Sequence, residues 1–342
     1  MPNKKYKVGG LFSGVGGIEL GFQKTNKFKI AWSTDVDSYA AKTYRANFKH
    51  KFYEEDINNL DGRTLEAVDI LVGGFPCQAF SVAGYRKGFE DQRGNVFFQI
   101  IRIINELPRK PKVLLLENVK NIFTHDNKRT FKIIQDSLEQ TGYFVSSEIM
   151  NTSEYTEIPQ NRERTFIICF LEGRDADFDP TKPMTRKFKT LFPPEPSTKK
   201  TRYFGEFLEQ GQVEDKYYYR QDTYFYPQLV EEVTRCDRVY QWRRKYFREN
   251  KSGVCPTLTA NMGTGGHNVP IIKVGAREYR KLTPRECFNL QGFPKDFKFP
   301  DGMANGRLYK QAGNSVTVDI IERIANILHK SLDQKQRLSP SV

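Results

Sequence analysis

Short apolar runs alternate with amphipathic segments along the first half of the chain. The alternating segments are Lys7 to Phe12, Ile18 to Gln23, Phe28 to Ser33, Ser38 to Asn47, Val68 to Val72, Val96 to Glu106, Val113 to Leu116, Thr130 to Thr141 and Thr165 to Phe170. Strands and helices that follow one another in this way form βαβ units around a mainly parallel, doubly wound sheet. We therefore predict an α/β fold for this part of the chain.

The pattern changes after about residue 171, where prolines, charges and tyrosines replace the regular apolar runs. Examples are Phe192-Pro193-Pro194-Glu195-Pro196 and Tyr217-Tyr218-Tyr219-Arg220. We predict a domain boundary near residue 185, and a length of 342 residues leaves room for two domains. Apolar residues at helical spacing return between Val316 and Leu332.

The composition is that of an ordinary globular protein, with 38% hydrophobic and 28% charged residues. The formal net charge of +13 indicates a polyanionic partner, although an inert basic surface would carry the same charge. The apolar runs are far shorter than the about 18 residues that cross a bilayer, and the first residues lack the hydrophobic region of a signal peptide. We expect a cytoplasmic protein with no membrane partner.

The five cysteines are spaced too widely for a Cys-x-x-Cys metal or redox signature. We expect reduced thiols, and we interpret Cys169, within an apolar run, as a small buried hydrophobe. The four histidines are scattered, so the sequence indicates neither a metal site nor a histidine general base.

A thiol and a carboxyl group follow two predicted strands. Cys77 lies in a turn after Val68 to Val72, and Glu117 follows Val113 to Leu116. Because the carboxyl ends of parallel strands meet at one edge of a sheet, we expect the two groups to lie side by side there. A thiol beside a carboxyl suits covalent attack on a nitrogen heterocycle whose ring nitrogen gains a proton.

A glycine-rich turn, Phe12-Ser13-Gly14-Val15-Gly16-Gly17, follows the first strand and would let a ligand approach the backbone. A dinucleotide fingerprint would need a glycine at position 19, and Glu19 argues against a pyrophosphate cofactor. Asp35, after the next strand, is placed to accept ribose hydroxyls, although its spacing alone fits a solvated loop acid equally well. Gly9-Gly10 within the first strand indicates a close backbone approach or a bend.

The order of these motifs resembles that of the cytosine-C5 DNA methyltransferases. The motifs that carry the resemblance are Phe12-Ser13-Gly14-Val15-Gly16-Gly17, Pro76-Cys77-Gln78, Glu117-Asn118-Val119, Gln160-Asn161-Arg162-Glu163-Arg164, Arg280-Lys281-Leu282-Thr283-Pro284-Arg285-Glu286 and Gly313-Asn314-Ser315-Val316. Residues 172–256 lack such a match, as expected for the variable target-recognition region of that family.

The resemblance implies a Rossmann-like, class I S-adenosylmethionine-dependent methyltransferase domain at residues 1–185 and 307–342. It implies a smaller target-recognition domain with a hinge at residues 186–306. The short chain is typical of bacterial type II restriction-modification enzymes rather than of multidomain maintenance enzymes.

Four catalytic residues are implied. Cys77 would attack carbon 6 of cytosine, Glu117 would donate a proton towards ring nitrogen 3, and Arg164 would bind the ring carbonyl, with Arg162 in support. Each residue taken singly has a structural alternative: an inert cysteine, a capping or ion-paired glutamate, or a solvated strand edge for the two arginines. Gln160 is interpreted as an orienting residue.

The implied cofactor is S-adenosylmethionine, with S-adenosylhomocysteine as product and no metal. The cofactor contacts map onto Phe12, Gly14, Gly16, Gly17, Asp35, Val36, Asp56, Ile57, Pro76, Val96 and Asn314. Asp35 falls at the ribose-binding acid of the family, and Asp56 and Ile57 fall beside the adenine.

The implied partner is double-stranded DNA, from which the target cytosine must be extruded. The predicted DNA contacts are Ser81, Arg86, Lys87, Arg243, Arg244 and Thr257. The first three lie in a predicted closing loop, Ser81 to Phe89. The aromatic and basic stretch Tyr240 to Asn250 contains the next two, and an amphipathic helix with a solvated face is its alternative interpretation.

We expect a nucleoid-associated monomer that is paired functionally with a restriction endonuclease, without forming a stable complex with it. Two other functions stay open at this point. The substrate could be tRNA, although Gln78-Ala79-Phe80-Ser81 resembles the DNA-methylating members, or the chain could be a non-catalytic DNA-binding protein on the same scaffold.

Overall fold

The computed structural model of the protein describes residues 5–76, 96–171, 191–198, 201–264 and 269–338. The strands are β1 (Tyr6–Leu11), β2 (Phe28–Asp35), β3 (Lys51–Glu54), β4 (Ile70–Gly74), β5 (Val113–Val119), β6 (Tyr143–Asn151), β7 (Gln160–Asn161), β8 (Glu163–Leu171), β9 (Tyr218–Tyr219), β10 (Tyr240–Trp242), β11 (Phe247–Glu249), β12 (Cys255–Pro256), β13 (Ile271–Gly275) and β14 (Glu278–Lys281). The helices are α1 (Gly17–Lys24), α2 (Ser38–Asn47), α3 (Val96–Glu106), α4 (Arg129–Gln140), α5 (Thr152–Tyr155), α6 (Tyr226–Glu232), α7 (Pro284–Asn289), α8 (Asn305–Asn314) and α9 (Val318–Leu338).

The chain folds into two compact units. The first comprises Met1–Met150, Glu163–Pro194 and Ile321–Val342, and the second comprises Asn151–Arg162 and Glu195–Ile320. Both units are therefore built from separated stretches of sequence.

A seven-stranded sheet with the order β3-β2-β1-β4-β5-β8-β6 organises the first unit. The pairs from β3 to β5 are parallel, whereas β8 runs antiparallel to β5. The residues of β4 and β5 are almost all buried, as is usual for central strands covered on both faces. The predicted α/β fold with a large, mainly parallel sheet is confirmed.

Two glycines allow tight packing around β1. A side chain at Gly9 would collide with the ring of Trp32, and one at Gly10 would collide with the carboxyl of Glu19. The pairing of β1 with β2 also shifts register between Val8 and Gly9. The space beside Gly9 and Gly10 is thus occupied by side chains rather than by a second stretch of backbone.

The second unit contains a five-stranded sheet with the order β11-β10-β13-β14-β9 and a parallel pair of β12 with β7. The pairs within the five-stranded sheet are antiparallel. Phe225, which precedes α6, packs in a buried cluster with Trp242 of β10 and Phe247 of β11. The stretch Tyr240 to Asn250 thus contains the hairpin of β10 and β11 rather than an amphipathic helix.

Four described cysteines carry free thiols, and Cys169 is fully buried in β8, as predicted. Among the described residues, no group of histidines, cysteines and acids is arranged to hold a metal ion. No helix in the described part of the chain has both the length and the apolar character to span a membrane.

Candidate active site

Glu117 lies near the end of β5, level with Gly74 of β4. Its side chain is 12% exposed, and its Oε2 would lie 3.2 Å from a Cβ atom placed on Gly74. The neighbouring Asn118 donates from Nδ2 to the carbonyl oxygen of Phe75 at 2.9 Å. The carboxyl of Glu117 is therefore held beside the chain that leads to Pro76, which is exposed. Cys77 itself lies outside the described residues.

Arg164 supplies a positive charge beside this carboxyl. The pairing of β5 with β8 places Arg164 opposite Val119, and Nε of Arg164 lies 3.0 Å from Oε1 of Glu117. Both side chains are largely buried. Burial lowers the pKa of Arg164, and the negative charge of Glu117 opposes that shift. The two largely buried groups form an ion pair, which restrains the orientation of both side chains.

Arg162 belongs to the second unit, and the strand is interrupted at this residue between β7 and β8. Its buried guanidinium donates to the carbonyl oxygens of Leu258 at 2.7 Å, Gly313 at 3.1 Å and Ser315. These bonds fix the chain on either side of Asn314, which is the exposed last residue of α8. Arg162 thus stabilises backbone of the second unit.

Gln160 and Thr257 make comparable contacts with backbone. Gln160 is fully buried, donates to the carbonyl of Leu290 at 2.7 Å and accepts from the backbone N–H of Leu258 at 3.3 Å. Thr257 donates from its hydroxyl to the carbonyl of Asn161 at 2.6 Å. Gln160 orients the chain that precedes Arg162, and the Thr257 hydroxyl is engaged in the same segment.

The predicted cofactor residues of the glycine turn meet the end of β2. Oδ2 of Asp35 accepts from the backbone N–H of Gly14 at 2.7 Å, and Oδ1 accepts from that of Asp37 at 2.8 Å. Burial raises the pKa of Asp35, although these hydrogen bonds oppose the shift. Asp37 caps the start of α2. Asp35 therefore joins the glycine turn to the chain that enters α2.

The glycine turn adopts a backbone conformation that favours glycine. Gly14 has a φ of 54° and Gly16 a φ of 88°, and Phe12 has a left-handed φ of 54° as well. A Cβ atom at Gly14 would meet nothing within 4 Å, whereas one at Gly16 would collide with Phe48. The turn consequently combines open space at Gly14 with close packing at Gly16, immediately before α1 begins at Gly17.

The region around Asp35 fits an adenosine group. Val36 is 66% exposed although it is apolar, and it directly follows Asp35. The two oxygens of Asp35 can each accept a further hydrogen bond besides the backbone bond described above. An exposed apolar side chain, a carboxylate and open space at Gly14 suit the ring and the ribose of S-adenosylmethionine.

Arg102 orders the other predicted adenine segment and was not found by sequence reasoning. Its guanidinium donates to the carbonyl oxygens of Ile57 at 2.6 Å and Leu60 at 2.9 Å, and it pairs with Glu106 at 2.7 Å. Ile57 is buried, and the carboxyl of Asp56 accepts two hydrogen bonds from the amides of Asn58. Arg102 therefore fastens this segment to α3, the helix that begins at Val96.

The remaining predicted DNA contacts divide into two groups. Ser81, Arg86 and Lys87 lie outside the described residues. Arg243 and Arg244 are exposed, and they lie where the hairpin of β10 and β11 turns.

Comparisons with known proteins identify relatives along nearly the whole chain. A family model described as C-5 cytosine-specific DNA methylase matches residues 6–330. The chain is 46% identical over 331 residues to the Type II methyltransferase M.Bsp6I of Bacillus sp. (strain RFL6), covering 95% of this chain and 99% of that protein. It is 39% identical over 331 residues to the Type II methyltransferase M.SsoII of Shigella sonnei, covering 97% and 82% respectively.

A solved methyltransferase structure has a similar fold. The methyltransferase EhMeth of Entamoeba histolytica superposes with a TM-score of 0.70 at 19% identity, covering 96% of this chain and 99% of that one. A likeness at this identity concerns the fold alone, and it confirms the predicted class I methyltransferase architecture.

Proposed function

Since the chain belongs to the family of C-5 cytosine-specific DNA methylases, we propose that it methylates a cytosine extruded from a short duplex DNA site. The protein is a bacterial Type II DNA cytosine-5-methyltransferase, and its family implies S-adenosylmethionine as the methyl donor. The observation that carries the proposed mechanism is the buried pair of Glu117 and Arg164, held beside the chain that leads to Cys77.

The reaction must first make carbon 5 of cytosine electron-rich. In the proposed mechanism, the thiolate of Cys77 adds to carbon 6 while Glu117 donates a proton to ring nitrogen 3. S-adenosylmethionine supplies an electrophilic methyl group. Once carbon 5 carries the methyl group and S-adenosylhomocysteine is left as the product, a base removes the proton on carbon 5 and elimination across carbons 5 and 6 releases the Cys77 thiolate. Ring nitrogen 3 returns its proton to Glu117.

Arg164 has two roles in this proposal. Its guanidinium orients Glu117, and it offers further N–H donors to the carbonyl oxygen of the cytosine ring. A guanidinium at 3.0 Å favours the ionised carboxylate of Glu117 in the absence of DNA. We therefore propose that Glu117 takes up its proton when the cytosine ring enters and displaces water from the site.

The cofactor would be held by residues of the first unit. Asp35 would accept the ribose hydroxyls, and Val36 and Ile57 would pack against the adenine near Asp56. We assign Phe12, Gly14, Gly16, Gly17, Pro76 and Val96 to the same proposed contact set. Asn314, which the resemblance also implies as a cofactor residue, belongs to the second unit. The proposed division of labour gives catalysis to residues 1–185 and 307–342 and recognition to residues 186–306.

The biological role proposed here is the protection of DNA from a cognate restriction endonuclease. Its support is the likeness to relatives named as Type II methyltransferases. The enzyme would act as a monomer, without a stable complex with the endonuclease.

The test supplies methyl-labelled S-adenosylmethionine with either mixed-sequence unmethylated duplex DNA or tRNA, followed by identification of the labelled nucleoside. The enzyme should form 5-methylcytosine in DNA, and Cys77→Ser should abolish the label. Cys236→Ser is the matched control, because Cys236 is an exposed thiol outside the proposed site. Label in tRNA would show that the substrate is RNA rather than DNA. Binding of both DNA and cofactor without any label would favour a non-catalytic protein.

A further inference from the structure

The hairpin of β10 and β11 carries positive charges that the described acidic residues do not neutralise. Its exposed cations are Arg243, Arg244, Lys245 and Arg248. None of these four forms an ion pair with a carboxylate within the part of the chain that the structure describes. Glu249, at the base of the hairpin, instead lies 3.4 Å from Arg238. The tip of the hairpin is therefore suited to a polyanion.

The turn of this hairpin is strained. The backbone N–H of Arg243 donates to the carbonyl of Tyr246 at 2.9 Å, which closes a two-residue turn of Arg244 and Lys245. Arg244 has a φ of 66°, a conformation for which glycine is strongly preferred at the first position of such a turn. A residue held in this region suggests that its side chain has a function.

Neighbouring contacts keep the strained turn in place. Gln228 of α6 donates to the carbonyl of Lys245 at 2.6 Å, and Glu232 of the same helix accepts from the backbone N–H of Phe247 at 2.5 Å. The rings of Trp242 and Phe247 pack with their centroids 4.6 Å apart beneath the hairpin. These contacts hold the tip of the hairpin in a fixed conformation.

The outward face of the hairpin is ordered as well. Gln241 lies opposite Arg248 in the strand pairing, and its Oε1 accepts from Arg248 at 2.6 Å and from Arg243 at 3.0 Å. These three side chains alternate along the strands with the buried Trp242 and Phe247, so they occupy the opposite face. One amide therefore holds two guanidinium groups on the exposed surface.

We propose that this hairpin reads the DNA sequence: Arg244 and Lys245 bind phosphates, while Gln241, Arg243 and Arg248 face base edges in the major groove. The major groove of B-DNA admits a two-stranded β-ribbon, and arginine and glutamine are the side chains that make bidentate contacts with guanine and adenine. The deep, narrow major groove of duplex RNA excludes such a ribbon. This inference rests on the proposed DNA substrate and names the residues that select the site.

Arg244→Gly tests the phosphate contact, because it removes the charge while relieving the strain. The variant should melt at or above the wild-type temperature yet bind a mixed-sequence DNA duplex several-fold more weakly. The slope of log affinity against log salt concentration should become less negative by about 0.9, as expected for one lost phosphate contact.

Arg277→Ala is the matched control, since it removes an exposed charge from the turn between β13 and β14 of the same sheet. It should keep the wild-type salt dependence. A wild-type salt dependence in Arg244→Gly would overturn the phosphate contact.

Arg243→Ala and Arg248→Ala test the reading face. Each variant is given a pool of random-sequence duplexes, and the methylated positions are then mapped by bisulfite sequencing. Discrimination at one base pair of the site should weaken about tenfold or more, while the other positions keep their preference. An unchanged site in both variants would overturn the reading face.

The two proposals fail in different ways. If the wild-type enzyme methylates no DNA, the proposed function fails, while the binding comparison of Arg244→Gly with Arg277→Ala still decides the role of the turn. If the wild-type enzyme methylates DNA and the hairpin variants match it in salt dependence and site choice, only the present inference fails.

Discussion

The carboxyl of Glu117 and the guanidinium of Arg164 restrict each other's conformation where the end of β5 lies beside the start of β8. Their separation of 3.0 Å and their burial make the pair a fixed element rather than a surface contact. Removing one partner of such a pair leaves a buried charge uncompensated. Isosteric replacement of the carboxyl is therefore more informative than its deletion.

Glu117→Gln should lower the rate of methyl transfer by about 10²-fold or more, because the amide has no acidic proton to donate to ring nitrogen 3. Cofactor affinity should stay close to wild type, since Glu117 is outside the proposed adenosine contacts. Single-turnover methylation and isothermal titration with S-adenosylmethionine measure the two quantities. Glu163→Gln, which alters a nearby exposed pair with Lys120, should retain activity. Equal rates for the two variants would refute the role of Glu117.

Single residues were predictable where a short motif carries the chemistry. Glu117 follows an apolar run and lies at the carboxyl end of its strand. That it lies close to the chain before Cys77 therefore follows from the order of the strands. Arg102 gave no such signal. It is one cation on an amphipathic helix, and its carbonyl partners at Ile57 and Leu60 lie more than 40 positions away in sequence.

At the scale of elements, a buried polar network links α1, β2 and α2 behind the glycine turn. Ser33 donates to Glu19 at 3.1 Å, and Tyr44 donates to Ser33 at 2.7 Å. The hydroxyl of Tyr44 also lies 2.6 Å from Nε2 of His50. Burial raises the pKa of the fully buried Glu19 to about 7, and the charge of nearby Asp35 adds to that shift. Glu19 is therefore most stable in this network as the neutral acid.

This network predicts a pH-dependent stability. The folded pKa of Glu19 is about 7 against an ordinary value of 4.5, so its stabilisation is complete below pH 4.5 and is lost as the pH rises to about 7. The loss amounts to about 3 kcal/mol by linkage. Burial lowers the pKa of His50 to about 4, which gives the opposite trend between pH 4 and 6.5.

Glu19→Gln isolates the contribution of Glu19, because His50 is common to both proteins. Relative to wild type, the variant should gain about 3 kcal/mol in the free energy of unfolding between pH 4.5 and 8. Urea denaturation across this range measures the difference. Parallel curves for the two proteins would show that Glu19 has no raised pKa.

The central elements were predictable and the edge strands were not. β4 and β5 are buried throughout most of their length, so their apolar runs are visible in the sequence. β3 and β6 occupy the two edges of the seven-stranded sheet, and their residues are mostly half-buried or exposed. Such strands mix polar and apolar residues without a clear period. The strands of the β10–β11 hairpin are too short to show a period at all.

At the scale of the whole molecule, the last helix belongs, from Ile321 onwards, to the same unit as the first strand. Tyr6 of β1 donates to Asp333 of α9 at 3.0 Å, and Phe28 of β2 packs edge-on against His329. Lys24, in the last turn of α1, pairs with Glu322 at 2.8 Å. Completion of the first unit therefore requires residues from both ends of the chain.

Truncation after Ile320 should prevent stable folding of the first unit. It removes the buried side chains of Ile321, Ile324, Leu328 and Leu332. Each lost side chain costs about 2 kcal/mol or more. Their sum falls within the range of about 5–15 kcal/mol that is the whole stability of a typical domain. The truncated protein should lose its cooperative thermal transition and its affinity for S-adenosylmethionine.

Truncation after Leu338 is the matched control, because it removes only residues 339–342 and keeps α9 intact. This protein should melt and bind the cofactor like the full chain. Cooperative melting near the wild-type temperature after truncation at Ile320 would mean that β1 and β2 are stable without α9. The contacts of Tyr6, Lys24 and Phe28 would then be supplementary to a sheet that closes its own core.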